Sequence, residues 1–148
     1  MGLLPLPPML FEERHIDLAN SIRQKTLVEH LDIQFGVNAD GQLTASMPVD
    51  HRTFQPMGLL HGGATAALAE TLGSMGSAML VDLATQAVVG IEVSANHLRG
   101  VREGRVTATG ELLHQGRKTH VWEIRVRNEA NDLCAVCRLT IMIIDQRK

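Results

Sequence analysis

The stretch Gln55-Pro-Met-Gly-Leu-Leu-His-Gly-Gly-Ala-Thr-Ala-Ala-Leu-Ala-Glu-Thr-Leu-Gly-Ser74 opens a helix on a glycine pair and sets one carboxylate, Glu70, two turns into it. At 3.6 residues per turn, Leu68, Leu72, Met75 and Met79 fall on a single apolar stripe, the seam of a core helix. Beside that stripe, Gly63, Ala66, Ala67, Gly73, Ser74 and Ser77 surround Glu70, and all are too small to cover it. A lone helical glutamate is more often solvated, and a Gly-Gly pair is more often a plain turn. Between Gly58 and Leu80, however, no side chain other than Glu70 and a protonated His61 carries charge. The segment therefore predicts a helix buried nearly all round, in which a glutamate needs a reason.

The residues ahead of the helix add hydrogen-bonding groups: Gln55, His61, and the backbone N–H groups of Gly62 and Gly63. A helix N-terminus presents unpaired N–H groups at the positive end of its dipole, where a carbonyl oxygen gaining negative charge is stabilised. A carboxylate two turns on can attack such a carbonyl or activate water, which suits acyl transfer. A Ser-His-Asp hydrolase is the competing enzyme, but no G-x-S-x-G elbow is present.

Working outward, residues 1–15 read as an irregular arm, and residues 16–30 as a weakly amphipathic lid or side helix. Strands are expected at residues 33–37 and 42–49, around the turn Asn38-Ala-Asp-Gly41. The long helix should end near residues 82–85, with Asp82 marking that end, and four more strands follow at 87–99, 105–114, 119–128 and 133–145. Short connections rich in turn formers predict antiparallel pairing of neighbours. About six strands and one apolar helix give an α+β domain over residues 16–148, the sheet curling around the helix. The apolar run at 87–91 suggests an edge that pairs with a second copy.

Composition narrows the function. With 148 residues the chain forms one domain with a real core, and its net charge of −2 argues against general nucleic-acid binding. The first ten residues are apolar but hold three prolines and no basic residue, unlike a secretory signal, and no run of 18 apolar residues occurs. No membrane association and a cytoplasmic location are expected. Cys134 and Cys137 lie three apart on a strand pattern, so they point to opposite faces and read as structural; no second pair completes a zinc site. Trp122 reads as core, and His15, His30, His51 and His120 lack metal-ligand spacing.

In Met47-Pro-Val-Asp50, Gln55-Pro-Met-Gly-Leu-Leu-His-Gly-Gly-Ala64, Ala69-Glu-Thr-Leu-Gly-Ser74, Val88-Val-Gly-Ile-Glu92, Ala95-Asn-His-Leu-Arg99, Arg102-Glu-Gly-Arg-Val106 and Val121-Trp122, the chain resembles the hotdog-fold acyl-CoA thioesterases. The similarity is to the branch acting on 4-hydroxybenzoyl-CoA, phenylacetyl-CoA and 1,4-dihydroxy-2-naphthoyl-CoA, and it spans roughly residues 30–145. It implies that Glu70 is the catalytic carboxylate, nucleophile or general base. It implies further that the Gly62 N–H polarises the thioester carbonyl, that Gln55 and His61 orient it, and that Ser74 places water or substrate. Coenzyme A contacts are implied for Gly63, Gly90, His97, Arg99, His114, Gly116, Arg117 and Lys118, with sites shared across a dimer interface.

The resulting expectation is a hydrolase of an aromatic acyl-CoA, first of all 1,4-dihydroxy-2-naphthoyl-CoA in menaquinone biosynthesis. It would act as a homo-oligomer, a dimer or a dimer of dimers (homotetramer), with no metal and no cofactor beyond the coenzyme A of its substrate. Alternatives are phenylacetyl- or hydroxybenzoyl-CoA, an acyl group on a carrier protein, or a non-catalytic acyl-CoA-binding module. Hotdog dehydratases use a His with an Asp or Glu in a different motif.

Overall fold

The computed structural model describes residues 11–146. Two short helices, α1 (Glu13–Ser21) and α2 (Leu27–His30), precede a hairpin of β1 (Gln34–Val37) and β2 (Leu43–Pro48). After a loop comes α3 (Gly62–Ala78), then β3 (Gln86–His97), β4 (Arg105–Gln115), β5 (Thr119–Arg127) and β6 (Leu133–Asp145). Of the arm expected at residues 1–15, residues 1–10 lie outside the described residues, and α1 opens at Glu13.

The single helix expected at 16–30 is in fact two. Asn20 stops it, because its side chain exchanges hydrogen bonds with the Phe35 backbone, accepting from N–H at 3.0 Å and donating to C=O at 3.1 Å. Arg23 then donates to the carbonyls of Asn20 and Ile33, at 3.1 and 2.8 Å. Lys25 turns the chain with φ of 59°, and Thr26 caps α2. The backbone is thus folded back along β1, where an unbroken helix would run past it.

All strands pair antiparallel in one six-stranded sheet of order β1-β2-β4-β5-β6-β3. The hairpin turn at Asn38 forms as read: its side chain accepts from the N–H groups of Asp40 and Gln42, and Gly41 takes φ of 77°. One pairing expectation is corrected. Consecutive strands β3 and β4 do not pair, since β3 crosses to the far edge beside β6. Residues 98–104 reach about 23 Å when extended, against about 14 Å for three strand spacings. A short loop can therefore bridge the curled sheet without making a hairpin. Among the described residues β3 consequently has one unpaired edge, and its Val89 and Ile91 are 42% and 53% exposed.

The sheet wraps one face of α3, burying Thr65, Leu68, Ala69, Leu72, Gly73, Gly76 and Ser77. The helix is not buried nearly all round: Met75 and Met79 of the expected stripe are half-buried, and so is Glu70. Gly73 and Ser77, one and two turns beyond Glu70, do not line its groove. They face the sheet, where a Cβ at Gly76 would come within 2.7 Å of the Trp122 ring and Ser77 Oγ accepts from Trp122 Nε1 at 2.9 Å. The helix ends at Ala78, and Asp82 instead starts the next turn by accepting from the Ala84 N–H at 3.0 Å. Trp122 is core, and Cys134 and Cys137 are buried free thiols, with burial pushing both up, Cys137 to about 11.

Candidate active site

Thr53 anchors the loop that delivers the helix N-terminus. Its buried hydroxyl donates to the Pro48 carbonyl at 2.8 Å and accepts from the Asp50 N–H at 3.1 Å, while its own carbonyl takes the His61 N–H at 2.8 Å. Beside it, Arg52 grips the Asp50 carboxylate and holds its pKa down at about 2. Because that value lies below the unfolded one, the pair stabilises the fold above about pH 4, and the contribution is lost as pH falls toward 2. Arg52→Gln is accordingly expected to flatten the pH dependence of urea unfolding between about pH 4 and 2.

The loop then turns tightly at Gly58, φ 75°, with the Gln55 N–H bonded to the Leu59 carbonyl at 2.8 Å. Within that turn the Gln55 side-chain oxygen accepts from the Met57 N–H, which leaves the amide NH2 to donate outward. His61 is the N-cap of α3: its Nδ1 accepts from the Gly63 N–H at 2.8 Å. Only one of the two glycine N–H groups is therefore committed. Among the described residues the Gly62 N–H has no protein acceptor, and it sits at the positive end of the helix.

His97, at the end of β3, lies against Gly62; a Cβ there would come within 2.9 Å of its Nε2. Gln55, Gly62, His97 and Arg99 line one cavity of about 330 Å³. Arg99 also lies 3.6 Å from Asp132. Glu70 and Ser74 open on a different groove, of about 450 Å³, whose other walls are mostly apolar. Gly90 lies beneath the carboxylate, and a Cβ there would overlap Glu70 Oε1. The strand also bulges between Gly90 and Glu92, which re-aims it at this point.

Glu70 and Gly62 are eight residues apart on one helix, about 12 Å. One carbonyl group cannot touch both within a single chain. The remaining predicted contacts, His114, Gly116, Arg117 and Lys118, belong to the hairpin joining β4 and β5. That hairpin leads into Thr119, which pairs with Met142, whereas His97 pairs with Ala135. The two basic segments thus flank opposite ends of β6, about 23 Å apart along the strand. Gly63 is exposed at the helix start, its N–H already used.

The sequence reading missed Leu27 and Val28 of α2, which wall the Glu70 groove. Their signal was an adjacent apolar pair in an otherwise charged stretch, Arg23 to His30. Among the described residues, no three His, Cys, Asp or Glu side chains group as metal ligands, and no helix is long and apolar enough to cross a membrane.

With Glu70 as the catalytic carboxylate that the resemblance implies, Gly90→Ala is expected to push it aside and lower kcat by about 10-fold or more, because small misplacements of a reacting group are costly. The melting temperature should change little, since the displaced atoms end a flexible side chain. Steady-state kinetics and thermal unfolding on the same variant check both halves.

A family model described as the thioesterase superfamily matches residues 57–135. The chain is 43% identical over 129 residues to the 1,4-dihydroxy-2-naphthoyl-CoA hydrolase of Escherichia coli, covering 87% of this chain and 94% of that protein. It is 47% identical over 134 residues to the proofreading thioesterase EntH of Cronobacter turicensis, covering 89% and 97%. Among solved structures, a mutant thioesterase from Pseudomonas aeruginosa superposes with a TM-score of 0.86 at 46% identity, covering 88% of this chain and 94% of that one.

Proposed function

The chain belongs to the thioesterase superfamily, and from that premise we propose that it hydrolyses an aromatic acyl-CoA to the free acid and coenzyme A, with 1,4-dihydroxy-2-naphthoyl-CoA of menaquinone biosynthesis as its substrate. The observation carrying this reading is a carboxylate open on an apolar groove, on the same helix whose first N–H is unspent.

In this mechanism the thioester oxygen sits at the Gly62 N–H, with the Gln55 amide as second donor. Both stabilise the negative charge that develops there in the transition state. Glu70 either attacks the carbonyl carbon or takes a proton from water that does so, and the Ser74 hydroxyl one turn on helps hold that water. A thiolate is a good leaving group, so no full triad is required. His61 acts on the oxyanion site by capping the helix, which leaves Gly62 rather than Gly63 as donor. His97, Arg99, His114, Arg117 and Lys118 would meet the coenzyme phosphates, with Gly116 shaping the hairpin.

The 12 Å between Gly62 and Glu70 supports a site built from two chains, one supplying the oxyanion donors and its partner the carboxylate. The unpaired edge of β3 supports a dimer, alone or doubled into a tetramer. The enzyme is proposed to act in the cytoplasm without a resident cofactor. Similarity to a proofreading thioesterase favours a second reading in which the thioester hydrolysis is kept and the acyl group differs.

Free coenzyme A released from a panel of aromatic and aliphatic acyl-CoAs tests the proposal. Fast, aromatic-biased release is expected; release from none of them would overturn it.

A further inference from the structure

The groove beside Glu70 has a floor of small helical residues. Ala67, Thr71, Ser74 and Ala78 leave space above α3, and the same cavity is closed from the side by Leu27 and Val28 of α2. Among the described residues Glu70 is the only ionisable group lining it, and the only other polar side chains are two hydroxyls. Such a surface repels phosphates and has few partners for the two amides of a pantetheine arm. It suits the apolar acyl end of a thioester.

α2 is not an ordinary loop passing by. The single turn is bracketed by two non-glycine residues in the left-handed region, Lys25 at φ 59° and Asp32 at φ 50°. Thr26 caps it, and the Lys25 N–H donates to the Glu29 carboxylate at 2.7 Å. At its far end Arg105, from β4, donates to the Asp32 carboxylate and carbonyl, both at 3.1 Å, and to Ser46 at 3.2 Å. Val28 packs on the core, while Leu27 stands 59% exposed at the groove's mouth.

We propose that Leu27 and Val28 are specificity-determining residues: held in place by the Arg105 to Asp32 tie, they form the wall that sets the size of acyl group accepted beside Glu70. The assignment rests on Glu70 as the catalytic carboxylate. A wall on a pinned turn discriminates by shape, which is worth about 10- to 100-fold between substrates differing by a ring.

The test compares 2-naphthoyl-CoA with benzoyl-CoA in the full-length wild type, Leu27→Trp and Val28→Ala. Leu27→Trp is expected to lower kcat/KM for the two-ring substrate about 10-fold more than for the one-ring substrate, and Val28→Ala to shift the ratio the other way. An equal effect on both substrates, or weakened inhibition by free coenzyme A, would overturn the wall and assign the groove to the pantetheine arm. If the wild type releases coenzyme A from neither, the hydrolase reading fails. The wall is then judged by calorimetric binding of the same two compounds, where Leu27→Trp is expected to weaken 2-naphthoyl-CoA more than benzoyl-CoA, and equal weakening of both would overturn it. Leu27 is mostly exposed, so its variant should keep the wild-type melting temperature within a few degrees.

Discussion

Glu70→Gln is expected to lower kcat for acyl-CoA hydrolysis by about 10²-fold or more, with little change in substrate binding. The substitution keeps the side chain's size, so the contact with Gly90 and the walls of the groove survive. In the proposed mechanism it removes the negative charge that attacks carbon or accepts the water proton, an interaction made chiefly in the transition state. Steady-state kinetics beside equilibrium binding of an acyl-CoA separate the two effects, and unchanged turnover would displace Glu70 from the mechanism. Single turnover in ¹⁸O-water gives a positive test of the nucleophilic role: label in the Glu70 carboxylate marks an anhydride intermediate opened by water at the Glu70 carbonyl.

Trp122→Ala should cost about 3–5 kcal/mol of stability, read as a fall of roughly 10 °C or more in melting temperature. The indole is fully buried where α3 meets the sheet, in a socket formed by glycines. A Cβ at Gly76 would approach the ring to 2.7 Å, and Cβ atoms at Gly73 and Gly110 would lie 3.4 and 3.3 Å from it. Glycines have no side chain with which to fill the vacated space, so the cavity persists. The Trp122 Nε1 bond to Ser77 is lost as well, leaving that buried hydroxyl with His120 alone at 3.0 Å. Because the damage falls on the sheet-facing side of α3, whose residues do not line the groove, activity per folded molecule at low temperature should fall far less than stability.

Much of this architecture is legible in short-range pattern. The period of α3 is visible in Leu68 and Leu72, which are fully buried, and the alternation of β6 in Cys137, Leu139, Ile141 and Ile143, each buried against exposed or half-buried neighbours. Glu70 and the glycine pair stand out as chemistry because between Gly58 and Leu80 no side chain but Glu70 and a protonated His61 carries charge. Harder to read is any feature made by residues distant in the chain. Asn20 interrupts a helical pattern only because Phe35 is there to receive its side chain. Glu70 looked enclosed because the helix is apolar, yet the sheet covers one face and leaves the carboxylate at an open groove.

By itself the sequence determined the six strands and the long helix, that one apolar helix must be wrapped by a sheet, and which carboxylate could act on a carbonyl. Those follow from backbone periodicity and side-chain polarity, which are local. Tertiary structure alone decided that β3 leaves its neighbour β4 for the far edge, that Gly90 makes room for Glu70, that α2 walls the groove, and that Gly62 and Glu70 face separate cavities. Each depends on how far the sheet curls before it closes on the helix, and that curl is set by packing summed over the strands that meet α3, around Trp122, Leu72 and Leu139, rather than by any one stretch of chain.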